Sequence, residues 1–232
     1  MSSRIFCAID TTDLNAGKAL ARDLKGHVAG IKLGLEFFAA HGPQGYKAIA
    51  QMGMPIFLDL KLHDIPNTVG STISALLPLQ PEFMTIHASG GAAMMKAAAT
   101  AAAKAGEKRP KILAVTVLTS LNANDLNAVG QDAEPTSQVL RLAQLAKESG
   151  MDGVVCSPAE VAMLRGALGP DFILMVPGIR PVGADLGDQK RVMTPKDAIA
   201  AGTTYMVIGR PITGAPDPVA MARAINVQAE GA

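Results

Sequence analysis

Residues 57–69 read FLDLKLHDIPNTV, and the first half of this stretch decides the fold. Leu58, Leu60 and Leu62 alternate with Asp59 and Lys61, the period of two that puts the leucines on one face of a β-strand and the charges on the other. Asp64 follows just past the strand. The leucines need an apolar cover, and a carboxylate and an ammonium on the opposite face of a buried strand need a place where ions are held. A strand covered by helices on its outer face, with its inner face turned to the rim of a closed sheet, meets both demands.

Working outward, seven more β-rich runs appear. They are RIFCAID (4–10), VAGIKLG (28–34), FMTIHA (83–88), KILAVTVL (111–118), GVVCS (153–157), FILMVPGI (172–179) and YMVIGRP (205–211), with PIFLDLKL (55–62) as the third of eight. Most are continuous Val/Ile/Leu runs, as expected for parallel strands covered by helices. Helical patterns fill gaps between them. LNAGKALARDL follows the first run with Asp13 as N-cap, GAAMMKAAATAAAKAG ends at Gly106, and PTSQVLRLAQLAKESG runs from Pro135 to Gly150. SPAEVAMLRGALG and TPKDAIAAG open with capping-box spacings, Ser157 to Glu160 and Thr194 to Asp197. Eight β/α units with no linker or low-complexity tract predict one TIM (β/α)8 barrel over residues 1–232.

Composition bounds the function. With a formal charge of +1, no Trp and 3% aromatic residues, the chain offers neither an electrostatic footprint nor a stacking platform for nucleic acid. No apolar segment reaches the roughly 18 residues of a membrane span, and the N-terminus lacks a signal-peptide pattern. Cys7 and Cys156 lack metal-ligand spacing and read as buried small hydrophobes in a reducing compartment. A cytoplasmic protein is expected.

In a TIM barrel, active sites lie at the C-terminal ends of the strands, and phosphate commonly binds after strands seven and eight. The polar residues of this chain collect there. Asp10, Lys32, Asp59, Lys61, Asp64 and His87 fall at the ends of the first four runs. Thr119 and Ser120 end the fifth, Arg180 follows the seventh, and Gly209 and Arg210 end the eighth. VPGIRP (176–181) and VIGRPIT (207–213) bring glycine, which admits backbone N–H groups to a phosphate, together with the forked guanidinium of arginine. Between them, residues 181–195 read as a lid, with Gln189 as a candidate phosphate contact.

An array of Lys32, Asp59, Lys61 and Asp64 narrows the chemistry. Carboxylates on both sides of Lys61 favour its protonated form, which suits a proton donor and not an amine nucleophile. A divalent cation on Asp59 and Asp64 would compete with the flanking ammoniums, and no third carboxylate or His stands at ligand spacing. His63 reads as a helper or packing residue. Asp59 would repel an anionic substrate group by about 4 kcal/mol at ~4 Å and an effective dielectric near 20. Such repulsion is useful only where the reaction removes that group, and the neighbouring ammonium then protonates the carbanion left behind. This is decarboxylation without a cofactor.

These residues, in order, resemble the orotidine 5'-phosphate decarboxylases of bacterial type across essentially the whole chain. FLDLKLHDIPNTV is similar to that family's Asp-x-Lys-x-x-Asp signature with its Ile-Pro-Asn-Thr continuation, and AID, IKLG, HASGG, VTVLTS, VPGIRP and VIGRPI follow in the expected order. The resemblance implies a barrel of the ribulose-phosphate-binding type and conversion of orotidine 5'-phosphate to uridine 5'-phosphate and CO2, the last step of de novo UMP synthesis, with no metal or organic cofactor. It implies that Lys61 protonates C6 of the pyrimidine, that Asp10 and Lys32 contact ribose hydroxyls, and that Thr119 and Ser120 lie near the pyrimidine. It further implies that Arg180, Gln189, Gly209 and Arg210 grip the phosphate. Asp64 and Thr68 would reach into the neighbouring subunit's site, implying a homodimer. The nearest rival is a sister barrel resembling ketogulonate-phosphate decarboxylase or hexulose-phosphate synthase, which shares the Asp-x-Lys-x-x-Asp core but uses magnesium. Lys32, where such a site would want a carboxylate, argues against it. A phosphate-ligand-binding barrel without catalysis would leave the charged array unexplained.

Overall fold

A computed structural model of the chain describes residues 3–131, 134–181 and 193–231. Its order is β1 (Ile5–Ala8), α1 (Leu14–Asp23), β2 (Gly30–Gly34), α2 (Leu35–Ala50), β3 (Ile56–Leu62), α3 (Pro66–Leu76), β4 (Phe83–His87) and α4 (Gly91–Ala103). There follow β5 (Lys111–Val115), α5 (Ala123–Ala128), α6 (Pro135–Glu148), β6 (Gly153–Val155), α7 (Val161–Leu168), β7 (Ile173–Val176), α8 (Pro195–Ala200), β8 (Tyr205–Ile208), α9 (Arg210–Thr213) and α10 (Pro218–Glu230). The strands pair in sequence order, and β8 closes on β1. All the pairings are parallel, so the eight runs read from the sequence form the TIM barrel they predict.

Alternation along each strand sorts side chains into two cores. Outward residues such as Ile31, Leu33, Leu58, Met84 and Ile86 join helix residues such as Phe37, Ile73, Met94 and Ile225 in a continuous layer between sheet and helices, against which Leu60 and Leu62 pack. Inward residues Phe6, Phe57, Phe83 and Met175 plug the barrel, with Tyr205 packed against them. Phe6 meets Phe83 and Tyr205 edge-on at 5.3 and 5.4 Å, the geometry that the ring quadrupole favours. Gly30 makes room for this plug, because a Cβ there would lie 2.4 Å from the Phe6 ring and 2.5 Å from the Pro55 carbonyl oxygen.

Helix starts follow the local chemistry. The Asp13 carboxylate accepts from the N–H groups of Asn15 and Ala16, satisfying donors that the first turn of α1 leaves unpaired. Ser157 and Glu160 form a buried reciprocal box, in which Glu160 accepts from both the Ser157 N–H and its hydroxyl. Thr194 accepts from the Asp197 N–H at the start of α8. Among the described residues, no helix is long and apolar enough to cross a membrane. Both cysteines are buried and unbridged. Burial, reinforced by nearby Asp10, pushes the Cys7 thiol up to about 12, which suits a packing role.

Candidate active site

Parallel closure brings every C-terminal strand end to one rim, and there the inward face changes from aromatic to charged. Phe57, Asp59 and Lys61 point inward from β3, with Lys32 from β2 beside them around a cavity of about 160 Å³. The rest of its lining is mostly apolar and includes Val115, Val117, Leu118, Val155, Pro177 and Val207. Among the described residues it therefore presents two ammoniums and one carboxylate in an apolar slot, a setting where charge interacts more strongly than in water.

Asp59 is the hub. Its Oδ2 accepts a 2.7 Å hydrogen bond from Lys61 Nζ and lies 3.7 Å from Lys32 Nζ, while its Oδ1 accepts from the Thr85 hydroxyl at 2.8 Å. Lys32 Nζ also reaches Asp10 Oδ1 at 3.2 Å, giving an alternating chain from the half-exposed Asp10 inward. Burial alone would push the Asp59 carboxyl up. The two ammoniums and the bonds from Lys61 and Thr85 outweigh it and hold the group below the ordinary carboxylate range. Asp59 is thus a fixed anion.

The backbone around Lys61 departs from regular strand geometry. Leu58 pairs with Met84 and Leu62 with Ile86, so β3 advances four residues while β4 advances two. Lys61 takes up the excess with φ 51°, a left-handed conformation that costs a residue with a Cβ on the order of 1–3 kcal/mol. Its N–H, thrown out of the ladder, donates to the Thr85 hydroxyl at 2.9 Å. Bulges of this kind re-aim side chains next to active sites. Thr85, wholly buried on β4, is a residue that strand counting passes over, although its inward parity with Phe83 was readable. Gly34 is another, since a Cβ there would stand 2.9 Å from Lys32 Nζ and 3.2 Å from Asp10 Oδ1.

Not every expected residue joins this cluster. Asp64 lies beyond the bulge in the turn into α3, exposed, with Oδ1 accepting from the Ile65 N–H at 2.7 Å. The carboxylates expected on both sides of Lys61 therefore reduce, within one chain, to Asp59 alone, because the turn carries Asp64 outward. Thr68, on the first turn of α3, is exposed as well. Thr119 lines the cavity, whereas Ser120, the next residue, is exposed and outside its lining. Arg180 is buried after β7, donating to the Ile179 carbonyl and pairing its N–H with Met193. Gly209 and Arg210 lead from β8 into α9, with Arg210 exposed. Gln189 and most of the segment read as a lid lie outside the described residues. His63 stacks on His87 with ring centroids 5.4 Å apart. Burial, His63 and Lys61 together lower the proton affinity of His87, which marks it as a neutral packing partner. Among the described residues, no three His, Cys, Asp or Glu side chains converge to hold a metal ion.

Comparison with known proteins places the chain among named relatives. The sequence model of the orotidine 5'-phosphate decarboxylase / HUMPS family matches residues 3–225. The chain is 51% identical to orotidine 5'-phosphate decarboxylase of Paramagnetospirillum magneticum, over 98% of this chain and 99% of that one. Against the protein of the same name from Novosphingobium aromaticivorans it is 52% identical, covering 97% and 99%. The crystal structure of orotidine 5'-phosphate decarboxylase from Lactobacillus acidophilus superposes with a TM-score of 0.86 at 40% identity, covering 99% of both chains.

Proposed function

Because this chain belongs to the orotidine 5'-phosphate decarboxylase / HUMPS family, we propose that it decarboxylates orotidine 5'-phosphate to uridine 5'-phosphate, the closing step of UMP synthesis. The observation that carries the reading is the Lys61–Asp59–Lys32 cluster at one end of an apolar slot, with Lys61 Nζ 2.7 Å from an Asp59 that is held ionised. A pyrimidine seated in that slot brings its C6 carboxylate towards Asp59. The C6–carboxylate bond breaks, CO2 leaves, the electron pair stays on C6, and Lys61 Nζ delivers the proton. Two fixed ammoniums stabilise the developing carbanion without reorganising at the moment of reaction. Repulsion from Asp59 and attraction to Lys61 act on opposite sides of the same step, the first raising the ground state and the second lowering the transition state.

The whole chain, 1–232, serves in this reading as one catalytic barrel domain. Asp10 and Lys32 contact the ribose, Thr119 and Ser120 the pyrimidine, and Arg180, Gln189, Gly209 and Arg210 the phosphate. Exposure of Asp64 and Thr68 in the single chain supports a homodimer in which each reaches the partner's site. The family description also covers HUMPS members, but the Lys32 ammonium at 3.7 Å from Asp59 Oδ2 would oppose a cation bound there.

The test is loss of orotidine 5'-phosphate absorbance with purified protein in excess EDTA. Rapid formation of uridine 5'-phosphate is expected. No turnover of that nucleotide, with activity on a sugar phosphate restored by magnesium, would move the chain to the sister chemistry.

A further inference from the structure

We infer that Thr85 is a positioning residue for the proton donor: its single hydroxyl ties the Asp59 carboxylate to the Lys61 peptide and so fixes where the Lys61 ammonium points. This deepens the decarboxylase reading and rests on it. The hydroxyl donates to Asp59 Oδ1 at 2.8 Å and accepts from the Lys61 N–H at 2.9 Å, so both its functions are used. The same two residues are joined a second time, where Lys61 Nζ meets Asp59 Oδ2 at 2.7 Å. Side chain, peptide and carboxylate thus form a closed loop with Thr85 as its one contribution from β4.

Position and strain both assign a role to this loop. Thr85 has 0% exposure and is absent from the cavity lining, so it acts on a bound substrate only through its two partners. The left-handed φ of 51° at Lys61 persists only where surrounding structure over-determines it, and across the register shift the Lys61 N–H is held by the Thr85 hydroxyl. Without the hydroxyl, Lys61 can relax toward ordinary strand geometry, which swings its side chain. Asp59 loses one of the bonds that orient it between the ammoniums. Misplacement of about 1 Å in such a group costs on the order of a hundredfold in rate.

Thr85→Val and Thr85→Ser separate this from plain packing. The first keeps the shape and removes both hydrogen bonds, and the second keeps the hydroxyl. Thr85→Val is expected to lose about a hundredfold in kcat, with KM and uridine 5'-phosphate affinity within threefold of wild type. Thr85→Ser should keep kcat within about fivefold, and the crystal structure of Thr85→Val should show Lys61 out of positive φ. If Thr85→Val does not fold, Thr85→Ala takes its place under the same criteria. A valine variant with near-normal kcat, or a serine variant as impaired as the valine one, overturns the inference. Wild-type protein inactive on orotidine 5'-phosphate would instead overturn the decarboxylase reading. Thr85 would then stand or fall on the variant's structure, where an unmoved Lys61 at φ near 51° and in contact with Asp59 rejects it.

Discussion

The proposed reaction asks two things of Lys61 that elsewhere exclude each other: an ammonium held near a carboxylate, and a proton free to leave toward carbon. Its 2.7 Å bond to Asp59 meets the first, and its place on the cavity wall meets the second. Lys61→Ala should lower kcat by at least the 10²–10⁴-fold typical of a lost general acid, while the variant still unfolds cooperatively, from a lower stability because Asp59 loses a partner, and still binds uridine 5'-phosphate. Calorimetry beside a turnover assay checks this, and a rate within tenfold of wild type would reject the assignment. Asp59 carries a pH signature. Its folded proton affinity is lowered, so the stability it contributes is present above the ordinary carboxylate value of about 3.9 and drains away as pH falls through the lower folded value. Denaturant titrations between pH 5 and 2.5 should show a shallower acid loss in Asp59→Asn than in wild type, from a lower starting stability.

At the scale of elements, strands were legible because parallel burial writes them as short Val/Ile/Leu runs, and alternation assigned the faces of β3 correctly: Leu58 lies in the outer core and Phe57 in the inner one. What alternation could not carry is the bulge. Register is a relation between two strands, and nothing in FLDLKLHD announces that β3 outruns β4 or that Thr85 closes the gap. Helix α2 was hidden for a local reason, since Gly42, at φ 55°, and Pro43 break the apolar period inside LEFFAAHGPQGYKAIA. The plug of the barrel supplies a prediction at this scale. Adding a methyl at Gly30 drives it into the Phe6 ring and the Pro55 carbonyl, and neither can yield without moving β1 or the turn before β3. Gly30→Ala should destabilise by about 1–3 kcal/mol, as overpacked cores do. An unchanged urea midpoint would show that the plug tolerates the shift.

For the whole molecule, the single chain leaves a charged rim that is one carboxylate short of the array its sequence suggests. Asp64 is turned outward and exposed, Ile65 beside it is 65% exposed, and Thr68, exposed as well, follows on the first turn of α3. In the proposed homodimer this exposed stretch is the surface that the second copy would cover. Only the family resemblance suggested this; periodicity within one chain carries no information about what a residue meets in a second. Sharing can be tested by mixing two inactive variants. In a two-fold dimer of Lys61→Ala with Asp64→Asn, one site has both lesions and the other has neither. Random exchange makes half the dimers hybrid, so activity should recover to about a quarter of wild type after subunit exchange. Hybrids verified by native mass spectrometry that stay inactive would mean that Asp64 serves its own chain, and the outward turn before α3 would then have to reverse when substrate binds.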